Sequence, residues 1–282
     1  MSSNALQQIV CCMGQPVAGN PTQFMMERAF AAAKLDWRYL TLEVPPEKLA
    51  DAVRGMRAMG FQGGNFTIPH KVAVLPLLDG LSPAAELMGA VNCVHRDGDR
   101  LLGANTDGQG FLESLRTLID PVDKRIVILG AGGAARAIAV EVALTKPAEL
   151  SIVNRSPGRG QELANLLSER TQVAVHYVPW EGDYAIPETA DVLINATSIG
   201  LGDANARVPI DPRTLRSTLV VADVIFNPPR TRLIRDAAEA GCPTIDGLGM
   251  LVNQAVIGFK IWTGVAPDPD VMREALEEYL EI

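Results

Sequence analysis

The stretch "RIVILGAGGAARAIAVEVAL", residues 125–144, passes from an unbroken apolar run through a glycine-rich turn into an alanine-rich segment. No polar residue interrupts Ile126 to Leu129, the pattern of a strand buried on both faces in a parallel sheet covered by helices. Gly130, Ala131, Gly132, Gly133, Ala134 and Ala135 then match the G-x-G-x-x-A spacing of a dinucleotide-binding turn. Gly130 permits the tight turn, Gly132 admits a pyrophosphate against the backbone, and Ala135 lets the helix pack on the strand. A glycine string can also be a bare structural turn, but its position between a strand and a helix favours the dinucleotide.

The next strand-like run, "ELSIVNRS" at 149–156, ends about twenty residues past the glycines, where an NAD site places an acidic side chain on the ribose hydroxyls. This chain has Asn154, Arg155 and Ser156 there, and Arg159 follows. A carboxylate repels a 2′-phosphate, whereas two guanidiniums can fork onto it. The expected cofactor is NADP rather than NAD. The competing reading makes the two arginines a solvated surface.

Beyond this unit, "VAVHYV", "DVLINAT", "LVVADVIF" and "CPTIDG" supply further strands separated by helices or long turns, with a helix over Arg159–Arg170. Residues 108–248 therefore read as a Rossmann-type domain. Before it, strands are expected over Leu6–Gly14, in "WRYLTLEV" and in "FQGGNFTIP", with helices over Thr22–Lys34, over Pro46–Met59 and from Lys71. "AVNCVHRDGDRLLGANTD" reads as two strands around an Asp97-Gly98 turn. Residues 1–107 thus form a separate α/β unit. The helical segments Gly249–Trp262 and Asp270–Leu280 are expected to return to it, giving a substrate and catalytic domain of 1–107 plus 249–282.

Composition narrows the partners. The 282 residues carry a formal net charge of −8 with 48% hydrophobic and 21% charged residues, which disfavours nucleic acid and anionic membranes. The N-terminal apolar run, Ile9 to Met13, is too short for a signal peptide core or a membrane span, so a cytoplasmic location is expected. Cys11, Cys12, Cys93 and Cys242 lack C-x-x-C spacing, and neighbours on a strand point to opposite faces, so buried thiols are expected and neither a disulfide nor a metal site. No exposed stripe distinguishes a monomer from a homodimer.

Lys71, one of six lysines, and Asp107 could pass a proton to or from a ketone oxygen beside a hydride donor. Read alone, they are equally a structural salt bridge.

Eight segments in order, "GGNFTIPHK", "GAVNCV", "GANTDGQGF", "GAGGAAR", "VNRS", "NATSIGL", "DVIFNPPRT" and "GLGMLVNQA", resemble the shikimate dehydrogenase family over nearly the whole chain. The resemblance implies an NADP-dependent alcohol dehydrogenase that reversibly reduces 3-dehydroshikimate or a related ring carboxylic acid. It places Lys71 and Asp107 as the catalytic pair across a cleft. It sets Thr67, Asn92 and Gln254 on the substrate, and Gly130 to Ala134, Asn154, Arg155, Arg159, Thr197 and Gly247 on the cofactor. The bland alternatives are turn caps for Thr67, Asn92 and Thr197 and an exposed helix position for Gln254. None of the three histidines reads as catalytic; His70, taken as a strand neighbour of Lys71, would point the other way.

The chain departs from the family's usual G-x-P-V-x-H-S-x-S-P, whose serines hold the substrate carboxylate. "GQPVAGNPTQ" puts Asn20 and Thr22 at those positions, and Phe226 stands where a tyrosine is common. Both replacements at the serine positions remain donors, but the pocket is reshaped. Quinate or aminoshikimate-type activity is the nearest alternative. A nucleotide-responsive binding protein without turnover, and folate-linked one-carbon oxidation on the same architecture, are more distant ones.

Overall fold

The computed structural model describes residues 6–282. The chain divides into two compact units, one running through Thr106 and taking up Gln254–Ile282, the other Asp107–Asn253.

In the first unit the elements are β1 (Gln8–Gly14), α1 (Thr22–Ala32), β2 (Trp37–Glu43), α2 (Leu49–Ala58), β3 (Gly63–Phe66), α3 (His70–Ala73), β4 (Gly80–Leu81), α4 (Pro83–Met88), β5 (Cys93–Asp97) and β6 (Arg100–Ala104). Their sheet has the order β2-β1-β3-β5-β6-β4. β1 is parallel to β2 and β3, whereas β5 is antiparallel to β3 and β6. The β5–β6 pair is a hairpin: Asp97 pairs with Arg100, and Gly98 takes φ +58° in the two-residue turn.

Strand alternation sorts the two adjacent thiols. Cys11 and Met13 join the core formed with Val53, Met56, Phe61 and Phe66, while Cys12 faces the opposite side. All four cysteines are buried, and among the described residues none forms a disulfide.

The second unit contains β7 (Arg125–Leu129), α6 (Gly133–Leu144), β8 (Glu149–Asn154), α7 (Pro157–Thr171), β9 (Ala174–Pro179), β10 (Val192–Asn195), β11 (Val220–Asp223), α8 (Arg232–Glu239) and β12 (Thr244–Ile245). The all-parallel order is β12-β11-β10-β7-β8-β9. Ile126, Val127, Ile128 and Leu129 are each at most 2% exposed, so both faces of β7 are covered. The strand order reverses at β7, which makes its carboxyl end the switch point where such sheets bind ligands.

Helix α5 (Thr106–Arg116) begins at the division between the units, and the division falls again inside α9 (Gly247–Thr263). From α9, the Trp262 indole donates to Val94 O at 2.8 Å, and Arg28 of α1 pairs with Glu278 of α10 (Pro269–Leu280) at 2.8 Å. The C-terminal helices thus return to the first unit, as expected. Among the described residues, no helix is long and apolar enough to cross a membrane.

Three local expectations change. β3 stops at Phe66 rather than running to Pro69, and the helical turn over residues 70–73 takes in His70 as well as Lys71. Strand alternation therefore does not orient His70; its fully buried ring bonds Val44 O at 2.7 Å, a structural role. β6 ends at Ala104 instead of extending to Asp107, because the Asn92 side chain accepts the Thr106 N–H at 2.7 Å and α5 starts there.

Candidate active site

At the carboxyl end of β7 the glycines act through backbone. Gly130 has φ +108°, and a Cβ there would lie 2.9 Å from Ala196 O and 3.1 Å from the Thr197 methyl group. A side chain would be strained and would push away the loop after β10. A Cβ on Gly132 or Gly133 would meet nothing within 4 Å, so this side of the turn is open. Gly132 is the N-cap of α6 without a side-chain cap, leaving the helix's first amides for an anion. Ala131 and Ala134 flank this opening, and Ala135 is fully buried against the sheet.

At the end of β8 the Asn154 amide donates to Ser156 O at 2.9 Å and shapes the turn into α7. Arg155 and Arg159 are both exposed there. The nearest downstream acid, Glu162, pairs with Arg136 at 3.1 Å. The residues present fit a dinucleotide carrying a 2′-phosphate: an open glycine turn, uncapped helix amides and two guanidiniums where a carboxylate would sit.

The loop after β10 is held by a buried network. Thr197 Oγ1 donates to Asn195 Oδ1 at 2.7 Å and accepts the Ile199 N–H at 3.1 Å. Asn195 in turn donates to Asp223 Oδ1 at 2.9 Å, and Thr231 donates to Asp223 Oδ2 at 2.7 Å. Burial pushes the Asp223 carboxyl up to about 6 although these hydrogen bonds and the Ile225 N–H pull it down. Thr197 is thus a turn-former whose methyl group borders Gly130. At Gly247 a Cβ would collide with the Ile225 and Val224 backbone, so this glycine lets α9 start close to the end of β11.

The first unit holds a second polar cluster. The parallel register sets Cys12 opposite Asn65 and Val10 opposite Tyr39, so Cys12, Tyr39 and Asn65 share one face of three adjacent strands. Tyr39 Oη donates to Asn65 Oδ1 at 2.6 Å, and Asn65 Nδ2 donates to Asn92 O at 3.0 Å. Asn20 Nδ2 donates to Cys12 Sγ at 3.7 Å, and its Oδ1 accepts the Thr22 N–H at 2.9 Å. Burial pushes the Cys12 thiol up to about 11, with the Lys71 ammonium pulling it the other way. Lys71 is therefore close enough for its charge to be felt at this cluster.

Most substrate-side residues inferred from the resemblance are brought together here. Asn92 is buried and tied to Thr106 by both ends of its amide, so it does shape the turn. Thr67 lies against Gly14, and its backbone N–H bonds Met13 O at 2.9 Å. Thr22 opens α1 and is 5% exposed; Gln254, on α9, is 6% exposed and so is no surface residue. Lys71 belongs to the first unit, and Asp107, in the first turn of α5, begins the second. Cys12, Tyr39 and Asn65 were not anticipated as site residues. A polar Asn65 in an otherwise apolar strand was the only signal in the sequence.

Comparison with known proteins agrees with this geometry. Residues 12–94 match a model of the shikimate dehydrogenase substrate binding domain, 114–201 a model of shikimate/quinate 5-dehydrogenase, and 247–277 a model of the shikimate 5′-dehydrogenase C-terminal domain. The NADP⁺ shikimate dehydrogenase of Methanopyrus kandleri is 41% identical over 99% of this chain and 98% of its own. The ligand-free 5-ketofructose reductase of Gluconobacter sp. strain CHM43 superposes with TM-score 0.96 at 49% identity, covering 98% of this chain and 99% of its own. A shikimate dehydrogenase in complex with NADP⁺ superposes with TM-score 0.90 at 35% identity, covering 98% and 97%. With the glycine turn, the arginine pair and the polar cluster in one chain, and relatives matched end to end, the protein belongs to the shikimate dehydrogenase family.

Proposed function

We propose that the protein catalyses the reversible NADP(H)-dependent interconversion of a ketone and a secondary alcohol, with 3-dehydroshikimate or a closely related ring acid as the ketone. The observation that carries this reading is the pair Arg155 and Arg159 at the end of β8 beside an open glycine turn, in a chain whose other unit sets Lys71 near a cluster of amides and hydroxyls. Residues 108–248 would form the cofactor domain, and 1–107 with 249–282 the substrate domain.

Bound NADPH supplies the hydride that adds to the carbonyl carbon. The backbone of Gly130 to Ala134 and the turn at Thr197 and Gly247 cradle the cofactor; Asn154, Arg155 and Arg159 hold its ribose phosphate. Lys71 donates a proton to the carbonyl oxygen as the hydride arrives, and Asp107 balances and replenishes that proton; oxidation runs the steps in reverse. Asn20, Thr22, Thr67, Asn92 and Gln254 orient the hydroxylated substrate. The net charge of −8 supports an enzyme for a small molecule acting without nucleic acid; a cytoplasmic location and a monomeric or homodimeric state belong to the same proposal.

A second reading is favoured by the 49% identity to the 5-ketofructose reductase, since that protein's named ketone has no carboxyl group. Here the reaction is the same, and the ketone is an uncharged sugar. The test is nicotinamide absorbance on mixing the protein with NADPH or NADH and, in parallel, 3-dehydroshikimate, its quinate-type analogue and 5-ketofructose. Oxidation of NADPH well ahead of NADH is expected; binding of NADPH without oxidation by any ketone would sink the proposal and leave a nucleotide-responsive binding protein.

A further inference from the structure

The hydrogen bonds of the polar cluster in the first unit have a fixed polarity. At one end the Thr22 backbone N–H can only donate, so the Asn20 atom facing it at 2.9 Å is the oxygen and the atom facing Cys12 is the nitrogen. At the other end Asn92 O can only accept, so Asn65 presents its nitrogen there and its oxygen to Tyr39. Tyr39 must then spend its single proton on Asn65, and Cys12, on the same face of the sheet, accepts from Asn20. Cys12 enters the cluster as an acceptor, its sulfur fixing the nitrogen end of the Asn20 amide.

This arrangement commits one N–H of Asn20 to sulfur and one lone pair of its oxygen to Thr22. What Asn20, half-buried, can still offer is one N–H and one lone pair. A hydroxyl satisfies both, because it accepts and donates. An ionised carboxylate only accepts, so it would take the N–H while facing the amide oxygen unfavourably, and its desolvation calls for charged or multiple donors. The thiol beside it is neutral at physiological pH.

We propose that Cys12 is a positioning residue that sets substrate preference, locking the Asn20 amide so that this wall receives a hydroxyl of an uncharged polyhydroxy ketone rather than a carboxylate. The inference rests on the reading that the first unit binds the ketone that NADPH reduces.

Steady-state kinetics of the full chain with NADPH would compare 5-ketofructose, uncharged, with 3-dehydroshikimate, a carboxylate, for wild type, Cys12→Val, Cys12→Ser and Asn20→Ala. Wild type should favour the uncharged ketone in kcat/KM by at least about 10-fold, the scale of one well-placed hydrogen bond. Cys12→Val should raise its KM about 10-fold with kcat within about 3-fold and the KM for NADPH unmoved, and Cys12→Ser, which restores an acceptor for Asn20, should recover most of that loss. Asn20→Ala should reproduce the KM effect, and it serves should Cys12→Val fail to fold. Preference of wild type for 3-dehydroshikimate overturns the inference while leaving ketone reduction intact. So does an unchanged KM in Asn20→Ala, or a serine variant as poor as valine, which would make the effect one of volume. Turnover of neither ketone overturns the inference together with the reading beneath it.

Discussion

The glycine turn of the second unit follows the carboxyl end of a parallel strand and the amide–thiol cluster of the first lies on one face of three adjacent parallel strands, and they constrain sequence differently. The turn works through backbone: Gly130 needs φ +108° and has Ala196 O where a Cβ would go. The cluster works through side chains drawn from residues 12, 20, 39 and 65, with the Asn92 carbonyl closing one end. Backbone constraints leave contiguous motifs, whereas side-chain networks scatter over the chain. The first kind preserves the hydride chemistry, and the second is where a related protein can change its substrate.

The sharpest way to break this division is Lys71→Ala. It should lower kcat at least about 100-fold with little change in NADPH affinity, measured by stopped-flow and by cofactor titration. A rate within a few-fold of wild type would remove Lys71 from the chemistry. Next in size, Arg155→Ala should raise the KM for NADPH about 10–100-fold, the worth of a charge-assisted hydrogen bond, and leave that for NADH nearly unchanged. Equal effects on both cofactors would mean that the guanidinium does not meet the 2′-phosphate.

A stability test addresses the backbone side of the comparison. Gly247→Ala should destabilise the protein by about 1–3 kcal/mol in urea denaturation, because its methyl group meets the Ile225 and Val224 backbone. An unaltered midpoint would show that α9 shifts without cost.

The smallest effect concerns Asp223. Its folded-state value near 6 lies above that of an exposed aspartate, so between about pH 4 and 6 the folded state holds the extra proton. Stability from this group is therefore greatest below that window and falls as pH rises through it, by about 1–3 kcal/mol. Asp79, Asp183 and Asp211, held low by backbone or arginine hydrogen bonds, slope the opposite way, so the variant must be compared with wild type. Asp223→Asn should lose the downward component, seen as a thermal midpoint that gains on wild type from pH 4 to 6. Parallel curves would contradict the assignment.

Much of this was legible in the sequence. An apolar run, three glycines and an arginine pair encode the cofactor turn locally, since each residue answers to its immediate neighbours. The C-terminal helices and the Asp97-Gly98 hairpin were equally readable. The start of α5 was not, because the Asn92 amide that draws Thr106 out of the strand lies fourteen residues earlier. Nor could the strand's early end be read, as "FQGGNFTIP" is apolar enough to read as strand through Pro69, three residues past where β3 stops. Cys12 read as a buried thiol, which it is; its second role depends on a register that sets it opposite Asn65 and beside Tyr39.

The central claim, hydride transfer from NADPH to a hydroxylated ketone, is tested most directly by following deuterium. NADPH deuterated at the transferable position of its nicotinamide ring would be incubated with wild-type protein and each ketone, and the alcohol product analysed by mass spectrometry. The account predicts one deuterium on the former carbonyl carbon for each NADPH consumed. Product without deuterium, or bound NADPH that is never consumed, would contradict it.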